Sequence, residues 1–89
     1  MEFVWVFNGE GSRFASAAFS ELILADTWIK QHQLTGVLTR YPINIGVYDW
    51  AIENGFFKVS KEAHIDSQFI GKFTTAGMEH YHYINGERD

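Results

Sequence analysis

The residues with the most chemical potential lie near the C-terminus, where His80-Tyr81-His82-Tyr83 alternates two imidazoles with two phenols. Side chains on an extended strand alternate between faces, so His80 and His82 are predicted on one face and Tyr81 and Tyr83 on the other. Two imidazoles at that spacing can share a metal ion, but a usable zinc site needs a third and a fourth ligand. His32, His64, Glu79, Asp49, Glu53 and Asp66 are the side chains that could supply them. That set defines one reading, a small metal-dependent or acid/base enzyme using His80 and His82. The plainer reading assigns no metal and places both histidines on a half-exposed face, hydrogen-bonded to neighbours. Tyr81 and Tyr83 then act as amphipathic rings at the core edge or on a partner-binding surface.

A second pair of groups sits in Asp49-Trp50-Ala51-Ile52-Glu53, where two carboxylates fall at i and i+4 on one helical face. That spacing serves acid/base chemistry, a bound cation or an acidic docking patch, and most simply a solvated face neutralised by Arg40 or a lysine. Elsewhere the chemistry runs out. Gly9-Glu10-Gly11 lacks the Lys-Ser/Thr of a phosphate loop and the third glycine of a dinucleotide fingerprint, and Glu10 would repel phosphate. Ser12 and Ser16 lack a nucleophile elbow. No catalytic residue and no cofactor is assigned on this basis.

The elements that must position these groups emerge from pattern. Phe3 to Phe7 is β-branched and aromatic on both faces, which predicts a strand buried on both sides. Asn8-Gly9 predicts a hairpin turn into a second strand at 13–19. Ser20 is the predicted N-cap of a helix reaching about His32, with Leu22, Ala25, Trp28 and Ile29 as its apolar stripe. A third strand is expected at 37–41, stopped by Pro42, and a second helix at 47–54 with Gly55 beyond its C-cap and Phe56 making the accompanying apolar contact. Asp66 and Ser67 can cap a short helix ending at Gly71, while 57–66 carries no clear pattern. The last strand is expected at 78–84, with a frayed tail from about residue 86. The expected fold is α+β, a mainly antiparallel four-stranded sheet in the order β-β-α-β-α-(α)-β, with two main helices packed on one face.

The chain has 89 residues, of which 15 (3 Trp, 4 Tyr and 8 Phe) are aromatic. Area scaling gives a folded surface of roughly 5,300 Å² against about 14,800 Å² for the extended chain, enough burial for one domain with little surplus. The aromatics supply the core, and Phe3, Trp5, Phe7, Phe14, Trp28, Trp50 and Phe56 are the expected members. The absence of cysteine excludes a disulfide framework, a thiolate metal site and a cysteine nucleophile, and fits a reducing compartment. A formal net charge of −4 gives no general attraction for nucleic acid and favours a basic partner. No run approaches the roughly 20 apolar residues of a membrane span.

The strings Trp5-Val6-Phe7-Asn8-Gly9-Glu10-Gly11-Ser12-Arg13-Phe14-Ala15-Ser16, Tyr41-Pro42, Gly46-Val47-Tyr48-Asp49-Trp50-Ala51-Ile52-Glu53-Asn54-Gly55 and Glu79-His80-Tyr81-His82-Tyr83 together resemble a family of small stand-alone bacterial proteins classed as a domain of unknown function. The resemblance spans nearly the whole chain. It implies a compact single-domain cytoplasmic protein and assigns no catalytic residue. The functional expectation is a non-enzymatic domain that acts by protein–protein interaction, in its most concrete form an immunity or antitoxin-type inhibitor of a basic toxin domain. Its expected contacts are Asp49, Glu53, Glu79, His80, Tyr81, His82 and Tyr83, with no nucleic acid, membrane or cofactor involved. Homodimerisation through an edge strand is a further option.

Overall fold

A computed structural model describes residues 1–89. Its elements are β1 (Phe3–Gly9), β2 (Ala17–Phe19), α1 (Leu22–Gln31), β3 (Gly36–Pro42), α2 (Val47–Glu53), one 3-10 turn (Glu62–Ile65), α3 (Ser67–Lys72), β4 (His80–Ile84) and β5 (Glu87–Arg88). The strands form one antiparallel sheet in the order β2-β1-β3-β4-β5. The α+β class and antiparallel sheet are as expected, with five strands in place of four.

Register explains which side chains make the core. Phe7 pairs with Leu38, Leu38 with Tyr81, and Gly36 with Tyr83, so period-two alternation puts Trp5, Phe7, Leu38, Tyr81 and Tyr83 on one face. Helix α1 lies on that face through Ala25 and Ile29, both fully buried in a cluster with Trp5, Phe7, Leu38 and Tyr83. The opposite face carries Val4, Val6, Val37, Thr39 and His80 at intermediate exposure. A second, smaller cluster of Trp50, Ala51 and Met78 packs against Phe3 and Tyr41. Phe3 and Tyr41 sit on opposite faces at the end of the sheet where β1 starts and β3 stops. Helix α2 therefore caps the end of the sheet and does not share a face with α1, which corrects the expected arrangement.

Several boundaries move for local reasons. Asn8 and Gly9 remain in β1, and the chain turns at Gly11 (φ 75°), which leaves β2 only three residues long. The other Asn-Gly pair makes the hairpin instead. Asn85 (φ 49°) and Gly86 (φ 85°) both take positive φ between the paired residues Ile84 and Glu87, the geometry of a two-residue type I′ turn. Residues 86–89, expected to fray, thus carry β5, with the Gly86 N–H donating to the Leu34 carbonyl at 2.8 Å. Glu21, not Ser20, occupies the N-cap of α1 and makes no side-chain capping bond. The cap expected at Asp66 is present, its carboxylate accepting from the Gln68 N–H at 3.4 Å.

Of the expected core aromatics, Trp5, Phe7 and Trp50 are buried, and Phe3 and Trp28 are half-buried. Phe14 is 77% exposed and Phe56 51% exposed, which corrects both assignments. Phe14 falls in the irregular stretch before β2, where no sheet face exists to cover it. Phe56 lies just past the end of α2 and projects beyond the second cluster. The accessible surface is 6176 Å², above the roughly 5,300 Å² expected for this mass. The radius of gyration is 14.4 Å, with extents of 45 × 28 × 20 Å, against about 12 Å for a compact domain of this length. No helix is long and apolar enough to cross a membrane.

Candidate functional site

The His-Tyr-His-Tyr strand divides by face as alternation requires, and its two faces do different work. His80 Nδ1 lies 2.7 Å from the Met78 carbonyl oxygen. A carbonyl can only accept, so Nδ1 carries the proton. The His80 and His82 rings meet edge to face with centroids 5.5 Å apart. His32 packs its ring against Trp28 at 5.7 Å, on α1's C-cap. His64 is held in an aromatic cluster, its Nδ1 accepting the Ser60 N–H at 3.2 Å. No three His, Asp or Glu side chains are grouped to hold a metal ion. The ligand set that a metal-dependent reading requires is therefore not brought together.

On the other face the tyrosines serve the fold. Tyr83 is 1% exposed, and its hydroxyl donates to Asp26 Oδ1 at 2.8 Å. Arg88 Nε donates to the Tyr83 hydroxyl at 3.2 Å and lies 3.4 Å from Asp26 Oδ1, while Lys30 Nζ lies 3.3 Å from Asp26 Oδ2. Burial pushes the Asp26 carboxyl up, but the Tyr83 hydroxyl, Lys30 and Arg88 together outweigh it and hold the carboxyl below its ordinary value. Sequence reasoning missed Asp26, because its partner lies 57 positions away and no local pattern links them. Tyr81 stacks on Trp5 with centroids 5.9 Å apart, under the Arg88 guanidinium at 4.2 Å. Its hydroxyl donates to Glu79 Oε2 at 2.5 Å, and that bond, with some desolvation, pushes the phenol up. Glu79 is thus engaged within the protomer, and Tyr83 leaves almost no surface for a partner.

Asp49 and Glu53 are different. Both are exposed on α2 and neither forms an ion pair, since the ion pairs of the molecule all converge on Asp26. Arg40, the expected neutraliser, instead lies over the Phe3 ring at 3.7 Å. Beyond Glu53 the path of the chain is set by local geometry. Gly55 takes φ 79°, the Gly55 N–H donates to the Ile52 carbonyl at 3.3 Å and the Phe56 N–H to the Ala51 carbonyl at 2.8 Å. These are the paired bonds of a Schellman cap, which only a residue at ease with positive φ completes without strain. The cap throws Phe56 back onto the last turn, where its ring stacks on Trp50 at 5.4 Å and 19°. Gly77 lies against the ring: a Cβ there would stand 2.5 Å from Phe56 Cγ. Phe56 is thereby held with half its surface in solvent, just past the helix whose exposed positions include Asp49, Ile52 and Glu53. Ile52, Gly55, Phe57, Lys58 and Val59 line the shallow cleft of about 550 Å³ beside it.

A ring cluster backs the cleft. Phe57 contacts Tyr48, His64, Phe69 and Phe73 at centroid distances of 4.8–5.9 Å, and the Tyr48 hydroxyl donates to the His64 carbonyl at 2.8 Å. Because a Cβ at residue 77 would overlap the Phe56 ring, Gly77→Ala is expected to swing that half-exposed side chain off Trp50, with a stability loss of about 1 kcal/mol. Trp50 fluorescence and thermal unfolding check this, with Phe56→Ala as the reference for a missing ring.

Among known proteins, a family model described as Domain of unknown function (DUF7710) matches residues 4–89. No curated protein and no solved structure matches the chain.

Proposed function

We propose that this chain, which belongs to that family of domains of unknown function, is a cytoplasmic, non-enzymatic protein-binding domain that occludes a basic partner through Asp49, Ile52, Glu53 and Phe56. The observation that carries this reading is Phe56, an aromatic ring stacked on Trp50 against Gly77 yet half exposed just past a helix whose carboxylates Asp49 and Glu53 are exposed and unpaired. Binding hot spots are commonly ordered aromatic anchors, because a pre-fixed ring loses little freedom on association. Flanking carboxylates steer a cationic partner and reject acidic ones. The net charge of −4 acts in the same direction. An inhibitor that covers the basic groove of a toxin domain is the concrete form of this activity.

The test places a benzophenone photocrosslinker at position 56 of the full chain expressed in its source cell. A single basic protein crosslinked there, lost with Asp49→Lys plus Glu53→Lys and weakened by salt, is the expected result. Against the identified partner, Phe56→Ala should weaken binding about 30-fold or more, equivalent to a hot-spot loss of about 2 kcal/mol. No adduct at position 56, or an adduct indifferent to both charge reversals, overturns the proposal.

A further inference from the structure

The two edges of the sheet are finished differently. β5 is two residues long and charged, Glu87–Arg88, a common way to block strand addition. β2 reads Ala17-Ala18-Phe19 and lies within an uncharged run from Phe14 to Ser20. It pairs with β1 only, so its outer backbone edge has no partner strand. Helix α1 overhangs that edge. Asp26 reaches Tyr83 on β4, while Trp28 touches Phe19 on β2 at 5.6 Å, which turns the side of α1 carrying Leu24 toward the open edge. Leu24 is 51% exposed, and Phe14 is among the most exposed apolar side chains of the molecule. An uncharged strand edge flanked by exposed apolar groups is a template for pairing.

We infer that this edge is completed by a second copy of the chain, with β2 pairing antiparallel to its own symmetry mate so that the two five-stranded sheets become one. This surface shares no residue with the Phe56 site and does not depend on the function proposed for it. Charge selects a second copy as the occupant. Arg13 and Glu21 bracket the uncharged run, one at each end, and neither has an ion-pair partner within the protomer. A two-fold axis through β2 reverses the strand, which brings the Arg13 end of each copy toward the Glu21 end of the other. The patch is therefore complementary to itself, as an isologous interface must be. It also keeps the remaining acids of a −4 chain out of the contact.

The axis runs perpendicular to the sheet, so both copies keep α1 on the same side and the two Leu24 side chains approach across the seam. Ala17 and Ala18, being small, leave room for the strands to close.

Sedimentation of the full chain over a concentration series tests the inference, with each variant checked for folding by circular dichroism. The unaltered protein is expected at twice 10.2 kDa by about 100 µM, a weak-to-moderate association. Arg13→Glu alone and Glu21→Arg alone should each weaken the dimer about tenfold, since each makes two like-charge contacts per two-fold. Arg13→Glu combined with Glu21→Arg should restore it, because the swapped charges face each other again. Ala18→Lys, which sets two cations one position from the axis that brings residue 13 opposite residue 21, should leave a folded monomer. A monomer at all concentrations overturns the proposal, as does a dimer that survives Ala18→Lys or is not rescued by the double charge reversal.

Discussion

Gly36→Ala is expected to cost about 3 kcal/mol or more, at the upper end of what overpacking produces. A Cβ at residue 36 would run into the Asn8 carbonyl oxygen of the facing strand, and would stand 2.8 Å from Phe7 Cζ and 2.9 Å from Gly9 Cα. Two of these three atoms are backbone, so no rotamer change relieves the clash and β1 must move away from β3. Those strands form the longest ladder of the sheet, seven paired positions from Phe3↔Pro42 to Gly9↔Gly36. Against a typical total stability of about 5–15 kcal/mol, such a loss is a large fraction. For a domain of this size it corresponds to a fall in Tm of about 12–24 °C. Gly71→Ala is the control: its added Cβ meets nothing within 4 Å inside α3, and helix propensity favours alanine there. Equal losses for the two variants, measured by thermal or urea unfolding, would refute the steric account.

Tyr83 carries the second large effect. Tyr83→Ala removes a fully buried ring from the main cluster and is expected to cost about 3–5 kcal/mol. Tyr83→Phe keeps the ring and removes only the hydroxyl that donates to Asp26 at 2.8 Å. A hydrogen bond to a charged acceptor is worth about 1.5–3 kcal/mol. The difference between the variants separates ring packing from the polar network, and urea unfolding measures it. The network also shapes the pH dependence. Asp26 has a folded pKa below its ordinary 3.8, so its contribution is complete above that value and is lost as pH falls through the lower, folded one. Burial, and then the bond to Asp26, push the Tyr83 phenol above its ordinary 10.0 despite the opposing pull of Arg88. Its contribution is therefore complete below pH 10.0 and is lost as pH rises through the raised value. In Tyr83→Phe both losses should shrink, the alkaline one because the phenol is gone and the acid one because Asp26, with one donor fewer, has a folded pKa closer to its ordinary 3.8.

The parts of the fold legible in sequence are those fixed by neighbours along the chain. Gly55 and Phe56 announce the Schellman cap, and Asp66 announces the start of α3, because each depends on residues within one turn. The two Asn-Gly pairs mark the limit of such reasoning. Both tolerate a type I′ turn, yet only Asn85-Gly86 adopts it. There the Asn85 N–H donates to Thr35 Oγ1 and the Gly86 N–H to the Leu34 carbonyl, contacts supplied by the distant α1–β3 connection. At Asn8-Gly9 the seven-position pairing with β3 keeps the chain extended instead. Within the site, the carboxylates Asp49 and Glu53 were readable from their spacing. The exposure of Phe56 was not, because an apolar residue after a helix cap reads as core until the far-side neighbour, Gly77, is known.

The division of the interior into two clusters has an energetic consequence for the surface it supports. Every fully buried side chain of the larger cluster belongs to the sheet or to α1, whereas no residue from 52 to 77 is buried. Regions so thinly covered open at a fraction of the global unfolding free energy, while a well-packed sheet opens only with the whole. The molecule is thus a well-packed platform joined to a lobe of lower local stability, and Phe56 stands where the two meet, its ring held on buried Trp50. A protein that grips Phe56 and the lobe beside it would suppress the lobe's local opening while leaving the sheet as it is.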